Sequence, residues 1–246
     1  MKLEEHTVQS SSGRYSRRVW LLNDKNEEDQ QLCVFLDGEY YLNHLQALGV
    51  IEELKQQDVL PSVTCIFVSN LDGEARHLDY TCNDQYSGFI AYDLLQWTRE
   101  KVAGITLSDN LICGLSLSGL ASAYLALTYP RVFSGALCQS GLFWWNQEWL
   151  MKNIALQSDS RSRFWISVGD QEDETGMSHS PTGLYQEVSQ RAASTKIVNE
   201  LQEAGHSINY HIFSGGHEIR PWREELPSAL KWLIGRQLEH KEQTEH

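Results

Sequence analysis

Nowhere do the 246 residues string together the ~20 apolar side chains that a membrane span needs, and the opening Met1-Lys2-Leu3-Glu4-Glu5-His6 lacks the apolar core of a secretory signal. These two absences predict a cytoplasmic protein with no membrane contact. Basic charge is also scarce, 20 Lys and Arg against 33 Asp and Glu for a net charge of −13, with a pI of about 5.1. A nucleic-acid partner is therefore not expected, since binding phosphates needs a basic face that releases their counterions. Five cysteines make an odd count, and Cys33, Cys65, Cys113 and Cys138 sit inside apolar runs where a thiol behaves as a small hydrophobe. A disulfide framework does not fit that pattern. His217-Glu218 has no second histidine one helical turn on, so the sequence implies no zinc helix, no other metal and no cofactor. Repeats, linkers and low-complexity blocks are absent apart from a polar tail, Glu239 to His246, and residues 1–246 read as a single domain.

What is present is an alternation of apolar runs and helical periods. His6 to Ser10 and Ser16 to Leu22, joined by Ser11-Ser12-Gly13, read as an edge hairpin, and Lys25 to Gln30 as a charged loop. Buried strands are expected at Gln31 to Leu36, Val63 to Ser69, Leu111 to Leu115, Val132 to Cys138, Arg163 to Val168 and Ser207 to Phe213. Helices are expected at Tyr40 to Gln57, Tyr86 to Val102, Ala121 to Thr128, Tyr185 to Ala204 (ended by Gly205) and Trp222 to Leu238. Asn70 to Gln85 shows no period and reads as a long loop, as does the polar stretch from Gly169 to about Gly183. Strands alternating with helices predict a doubly wound, mostly parallel α/β sheet carrying an N-terminal antiparallel hairpin.

The chain is organised around Leu111-Ile112-Cys113-Gly114-Leu115-Ser116-Leu117-Ser118-Gly119-Leu120. A strand that breaks at Gly-x-Ser-x-Ser-Gly and passes directly into a helix is a nucleophile elbow, where the residues two before and two after the serine must be small. Gly114 and Ser118 meet that demand around Ser116, whereas centring the turn on Ser118 would put Leu120 at a flank. Ligands of such sheets bind at the carboxyl ends of the strands. There the loops supply Ser116, then Glu172 with its acidic neighbours Asp170 and Asp173, then His217 on Gly215-Gly216. Serine, acid, histidine is the chain order of α/β-hydrolases, in which imidazole takes the hydroxyl proton and a carboxylate holds the ring. Oxyanion donors are expected from the backbone N–H of Leu117 and of Gly38 or Glu39, with Glu39 preferred.

Several blocks together resemble the enterochelin esterases and their relatives. They are Leu36-Asp37-Gly38-Glu39, the Arg76 to Asn83 segment, the Gly114 to Gly119 elbow, Ser140-Gly141-Leu142-Phe143-Trp144-Trp145, Gly169-x-x-Glu172, and Gly215-Gly216-His217 followed by Trp222-Arg223. The resemblance implies an α/β-hydrolase fold and a serine esterase acting on catecholate siderophore trilactones, or, as in relatives, on feruloyl or sugar esters. It also implies Glu172 as the acid, three residues after the strand-ending glycine. Ser118 stands where the family usually has glycine.

Two groups carry alternative readings. Trp144, Trp145 and Trp149 are either core aromatics or a wall that stacks on an aromatic acyl group. Arg76 either pairs with Asp79 or Glu74 or binds a substrate anion. The other histidines, His206 and His211 among them, have no such support. A non-catalytic binding protein on the same scaffold is the alternative to a serine esterase, and it gives no reason to keep Ser116, Glu172 and His217 together.

Overall fold

The computed structural model describes residues 2–23, 30–154, 161–179 and 182–234. An edge hairpin, β1 (Lys2–Gln9) and β2 (Ser16–Asn23), opens the chain and leads to β3 (Gln31–Phe35). Two short helices, α1 (Gly38–Asn43) and α2 (Ala47–Gln56), precede β4 (Val63–Val68). Then come α3 (Gly73–Tyr80), α4 (Asp84–Gly88), a π-helical turn (Phe89–Leu94) and α5 (Leu95–Lys101). The elbow joins β5 (Asn110–Leu115) to α6 (Leu117–Thr128), and β6 (Phe133–Gln139) leads to α7 (Trp145–Asn153). The last third holds β7 (Arg163–Gly169), a small hairpin of β8 (Met177–His179) and β9 (Leu184–Gln186), α8 (Gln190–Glu203), β10 (Ser207–Phe213) and α9 (Ile219–Ile234).

Eight strands form one sheet in the order β1-β2-β4-β3-β5-β6-β7-β10, antiparallel at the hairpin end and parallel from β4 to β10. Strand periodicity sends alternate side chains to opposite faces, and both faces are covered. Val34, Ile66, Ile112, Ala136 and Ile166 pack in the cluster that includes α6 and α8, while Phe35, Phe67, Cys113, Leu137 and Trp165 pack in the cluster that includes α2 and α9. All five cysteines are free, four of them buried in these strands.

The expected strands and most helices are present, with four corrections. Tyr40 to Gln57 is two helices, because Gln46 takes a left-handed conformation (φ 55°) between them. Asn70 to Gln85 is mostly helical: the Asp72 side chain caps α3 by accepting from Ala75 N–H, and Asn83 caps α4 by accepting from Gln85 and Tyr86. The polar stretch after β7 contains the β8–β9 hairpin, whose second strand takes Tyr185 out of α8, and Ser189 caps that helix instead. Finally, α9 begins at Ile219. The polar tail and most of the Lys25 to Gln30 loop lie outside the described residues.

Backbone crowding sets the geometry of the site-bearing end. A Cβ on Gly114 would overlap the Ser118 carbonyl oxygen, and one on Gly119 would lie 2.9 Å from Gly141 Cα. A Cβ on Gly169 would overlap the carbonyl oxygen of Gly215, where the turn after β10 crosses the end of β7. Gly169→Ala should therefore lower unfolding free energy by about 2–3 kcal/mol, the cost of overpacking against backbone that cannot retreat. Gly49, in α2 with no atom within 4 Å of where a Cβ would stand, is the matched control. Gly49→Ala should raise stability by about 0.5–1 kcal/mol through helix propensity, and urea titration of the two variants reads both signs.

Candidate active site

Ser116 occupies the elbow with φ 53° and ψ −121°, a conformation that side-chain-bearing residues rarely hold. It persists because both sides are pinned: Ser116 N–H donates to Gln139 O (2.7 Å), and Ser116 O accepts from Gly119 and Leu142 N–H (3.0 and 3.2 Å). The hydroxyl is thereby held out beyond the sheet end, and His217 Nε2 lies 2.9 Å from Ser116 Oγ. On the other side of the ring, His217 Nδ1 is 2.7 Å from Glu172 Oε2. The chain separates His217 from these two partners by 101 and 45 positions, and the loops after β5, β7 and β10 bring the three together.

Those loops are fixed to one another. Asp170 N–H donates to Phe213 O (2.9 Å), Gln171 N–H to Gly215 O (3.0 Å), and Gly215 N–H to Asp170 Oδ1 (2.9 Å). Asp170 is therefore occupied with the turn, and Asp173 pairs with Arg191 (2.7 Å), so of the three acidic candidates Glu172 is the one in contact with His217. Its other oxygen, Oε1, accepts from Ser140 Oγ (2.6 Å) and Gly169 N–H (2.8 Å). Ser140 Oγ in turn accepts from Trp222 Nε1 (3.0 Å), and the Trp222 ring meets His217 edge-on at 4.9 Å. Burial alone would raise the Glu172 carboxyl; hydrogen bonding to His217 and its charge, with Ser140 and Gly169, outweigh burial and hold it below the ordinary carboxylate range.

Leu117 is the first residue of α6 and Glu39 the second of α1, so neither N–H has an acceptor within its own helix. Such N–H groups can stabilise a developing oxyanion. Their helices are joined through Asp37, which is fully buried at φ 53°. Asp37 Oδ1 accepts from Arg76 Nε (2.7 Å) and Asn70 Nδ2 (2.9 Å), and Oδ2 from Arg76 Nη2 (2.6 Å) and Ser118 Oγ (2.7 Å). Arg76 thus pairs with Asp37, not with Asp79 or Glu74. Asp79 pairs with Arg17 at 2.5 Å.

A cavity of about 480 Å³ opens beside Ser116, lined by Trp144, Leu142, Glu174, His179, Gln186 and Gln190 among others. Trp144 is in this wall, stacked on His179 at 5.1 Å and 18°. Trp144 is nonetheless 4% exposed and part of the core, whereas Trp145, partly buried, does not line the cavity and packs against Trp149 at 6.1 Å. Consecutive left-handed residues Asn146, Gln147 and Glu148 turn the chain between the two tryptophans of that pair. His206 and His211 lie apart, against Phe164 and Trp165. Sequence reasoning passed over Asp37, Ser140 and Trp222 as individuals, although each stands in a block that carries the family resemblance; it offered no signal for His179, Gln190 or Glu225.

Comparison with known proteins gives the family and the fold. A family profile described as "Putative esterase" matches residues 12–233. An iron(III) enterobactin esterase from Dickeya dadantii is 27% identical over 230 residues, covering 89% of this chain and 52% of the relative. The chain thus spans about half the length of the curated relatives it matches. Among solved structures, the enterobactin esterase of Shigella flexneri superposes with a TM-score of 0.81 at 23% identity, over 95% of this chain and 59% of that one. A ferulic acid esterase superposes with a TM-score of 0.70 at 12% identity, over 95% of this chain and 98% of that one. At these identities the structural likeness establishes the α/β-hydrolase fold. Among the described residues no helix is long and apolar enough to cross a membrane.

Beneath the site, Glu225 is buried and accepts from Ser167 Oγ (2.6 Å) and Gln139 Nε2 (2.7 Å), and burial pushes its carboxyl from 4.5 up to about 7. The folded state therefore holds this proton more tightly than the unfolded chain, so the group's contribution to stability falls as pH rises from 4.5 to about 7 and is level above. Glu172 has the opposite sign: its contribution is complete above the ordinary carboxylate value and is lost as pH falls through its lowered folded value. Across the Glu225 window wild type should lose about 3 kcal/mol that Glu225→Gln does not lose, because each pKa unit is worth ~1.4 kcal/mol. Urea titrations of both proteins at the two ends of that window check it; parallel pH profiles would contradict the raised value.

Proposed function

Because the chain belongs to the Putative esterase family, we propose that it is a serine esterase that hydrolyses carboxylic esters through an acyl-enzyme. The observation that carries the reading is the continuous relay from Ser116 Oγ to His217 Nε2 (2.9 Å) and from His217 Nδ1 to Glu172 (2.7 Å) on a strained elbow. In this reading His217 Nε2 takes the Ser116 proton as Oγ attacks the ester carbonyl. Glu172 keeps the proton on Nδ1 and stabilises the imidazolium that forms. The Leu117 and Glu39 N–H groups receive the oxyanion, and His217 then passes its proton to the departing alkoxide. Water repeats the sequence to release the acid. No metal or cofactor takes part in these steps.

The substrate proposed is a small-molecule ester with an aromatic acyl group. Relatives named iron(III) enterobactin esterase motivate catecholate siderophore esters, and the ferulic acid esterase motivates feruloyl esters as the second choice. Trp144, stacked on His179 beside Ser116, is the flat surface that supports an aromatic acyl group in either case. A cytoplasmic setting, without nucleic acid or membrane, belongs to the same proposal, supported by five free thiols and the acidic balance.

Ser116→Ala should lower kcat on a p-nitrophenyl ester by about 10⁴-fold or more and abolish labelling by a fluorophosphonate, with the melting curve unchanged. His217→Ala should cost nearly as much, and the double variant hardly more, since the two residues act as one unit. Activity of Ser116→Ala within about tenfold of wild type would sink the assignment. The tryptophans should separate: Trp144→Ala should lower stability by about 3 kcal/mol and also remove about tenfold of preference for an aromatic over an acetyl ester, whereas Trp145→Ala should leave that preference intact.

A further inference from the structure

The cavity beside Ser116 presents hydrogen-bond acceptors and no fixed positive charge. Among the described residues that line it, none is Lys or Arg. Arg76 is paired with buried Asp37 and Arg191 with Asp173, while Arg220, which follows the lining turn, is exposed and pairs loosely with Glu224 at 3.8 Å. Of the two lining carboxylates, Glu172 is held by His217, while Glu174 is exposed and has no cationic partner among the described residues.

The amide orientations follow from their partners. Gln190 Nε2 lies 2.5 Å from both Ser140 O and Gly141 O. Carbonyl oxygens only accept, so nitrogen must face them, and Gln190 Oε1 is left as an acceptor. By the same argument Gln186 Nε2 donates to Glu174 O (2.9 Å), and Gln186 Oε1 accepts from His179 Nε2 (2.8 Å). His179 therefore carries a proton on Nε2. Gln171, which also lines the cavity, is exposed at its mouth.

Resting on the esterase reading above, we propose that this cavity selects an uncharged or cationic acyl group that brings its own O–H or N–H donors, and that it rejects anionic ones. Glu174 and Gln190 Oε1 pair with donors of the acyl group, whose ring lies on the Trp144–His179 slab. An anion in the same place meets the Glu174 carboxylate with no counter-charge and finds its acceptor oxygens facing other acceptors. For a polyphenolic ester the consequence is specific. A catechol that grips a ferric ion gives up both phenolic protons, so the chelate loses its donors and gains negative charge. The iron-free ester is the form that fits.

The test compares kcat/KM for the p-nitrophenyl esters of a dihydroxybenzoic, a dimethoxybenzoic and a sulfobenzoic acid, and for a catecholate trilactone with and without iron. The dihydroxy ester should exceed the sulfonated one by about tenfold or more, with the dimethoxy ester between, and the iron-free trilactone should exceed its ferric complex by a similar factor. Glu174→Gln should narrow the gap to the sulfonated ester and Glu174→Lys should close or invert it; the residue is exposed, so both variants keep the fold. Sulfonated and dihydroxy esters within about twofold of each other, or a gap indifferent to Glu174→Lys, would overturn the proposal. Calorimetry on Ser116→Ala protein with dihydroxybenzamide and sulfobenzamide separates this claim from the esterase reading. If no ester is turned over, the esterase reading fails, yet tighter binding of dihydroxybenzamide still supports the cavity's selectivity, and equal binding or none overturns it.

Discussion

A carboxylate with no exposed surface holds the site-bearing end of this protein together. Asp37 sits where β3 ends, and an ionised group there is tolerated only if each oxygen is fully paired. Arg76 supplies a bidentate partner, and Asn70 and Ser118 complete the set. Three elements are thereby locked in one place: the start of α1 with Glu39, the start of α3, and the elbow helix α6. Ser118 also explains the departure from the glycine usual at that place. It is small enough for the crowded contact with Gly114, and its hydroxyl accepts from Leu115 N–H (2.9 Å) while reaching Asp37.

A second frame supports the Glu172–His217 pair from below. Gln139 accepts Ser116 N–H on its carbonyl, takes Tyr41 Oη–H on its side-chain oxygen (3.0 Å), and donates to Trp222 O (2.8 Å) and Glu225. Trp222 then reaches Ser140, which reaches Glu172. These are short, mostly buried bonds between residues of β6, β7 and α9, elements whose packing forms one face of the sheet. Rigid supports of this kind matter because a proton relay works only while donor and acceptor stay within hydrogen-bond reach. The same frame buries Glu225, and burial outweighs the opposing effect of its hydrogen-bond donors, which is why its proton is held so firmly.

The aromatic block after β6 divides its labour by position. Trp144 and His179 come from segments that are remote in sequence, and their stacking gives the cavity its flat wall. Trp145 and Trp149 complete the packing behind it, with Trp149 against Tyr124 of α6. The proposed chemistry and the proposed selectivity therefore draw on different layers. The relay is built from the ends of parallel strands, and the wall from the loop and hairpin that cover them.

Sequence by itself determined the sheet, the elbow and the order of the candidate residues, because each rests on local rules. Continuous apolar runs can only be buried strands here, small residues at Gly114 and Ser118 are demanded by the turn at Ser116, and strand ends fix which loops meet. Glu172 could be preferred to Asp170 and Asp173 only through the family resemblance; the contacts that separate them, Gly215, Arg191 and His217, are all distant in sequence. Tertiary structure alone decided that Asn70 to Gln85 is helical, since α3 and α4 are short pieces held by caps and by the pairs Arg76–Asp37 and Arg17–Asp79. It likewise decided that Arg76 pairs with Asp37 and that Trp144 and Trp145 have different surroundings. Periodicity and composition report which residues are buried or helical; they carry no information about which distant partner a charge or a ring will find.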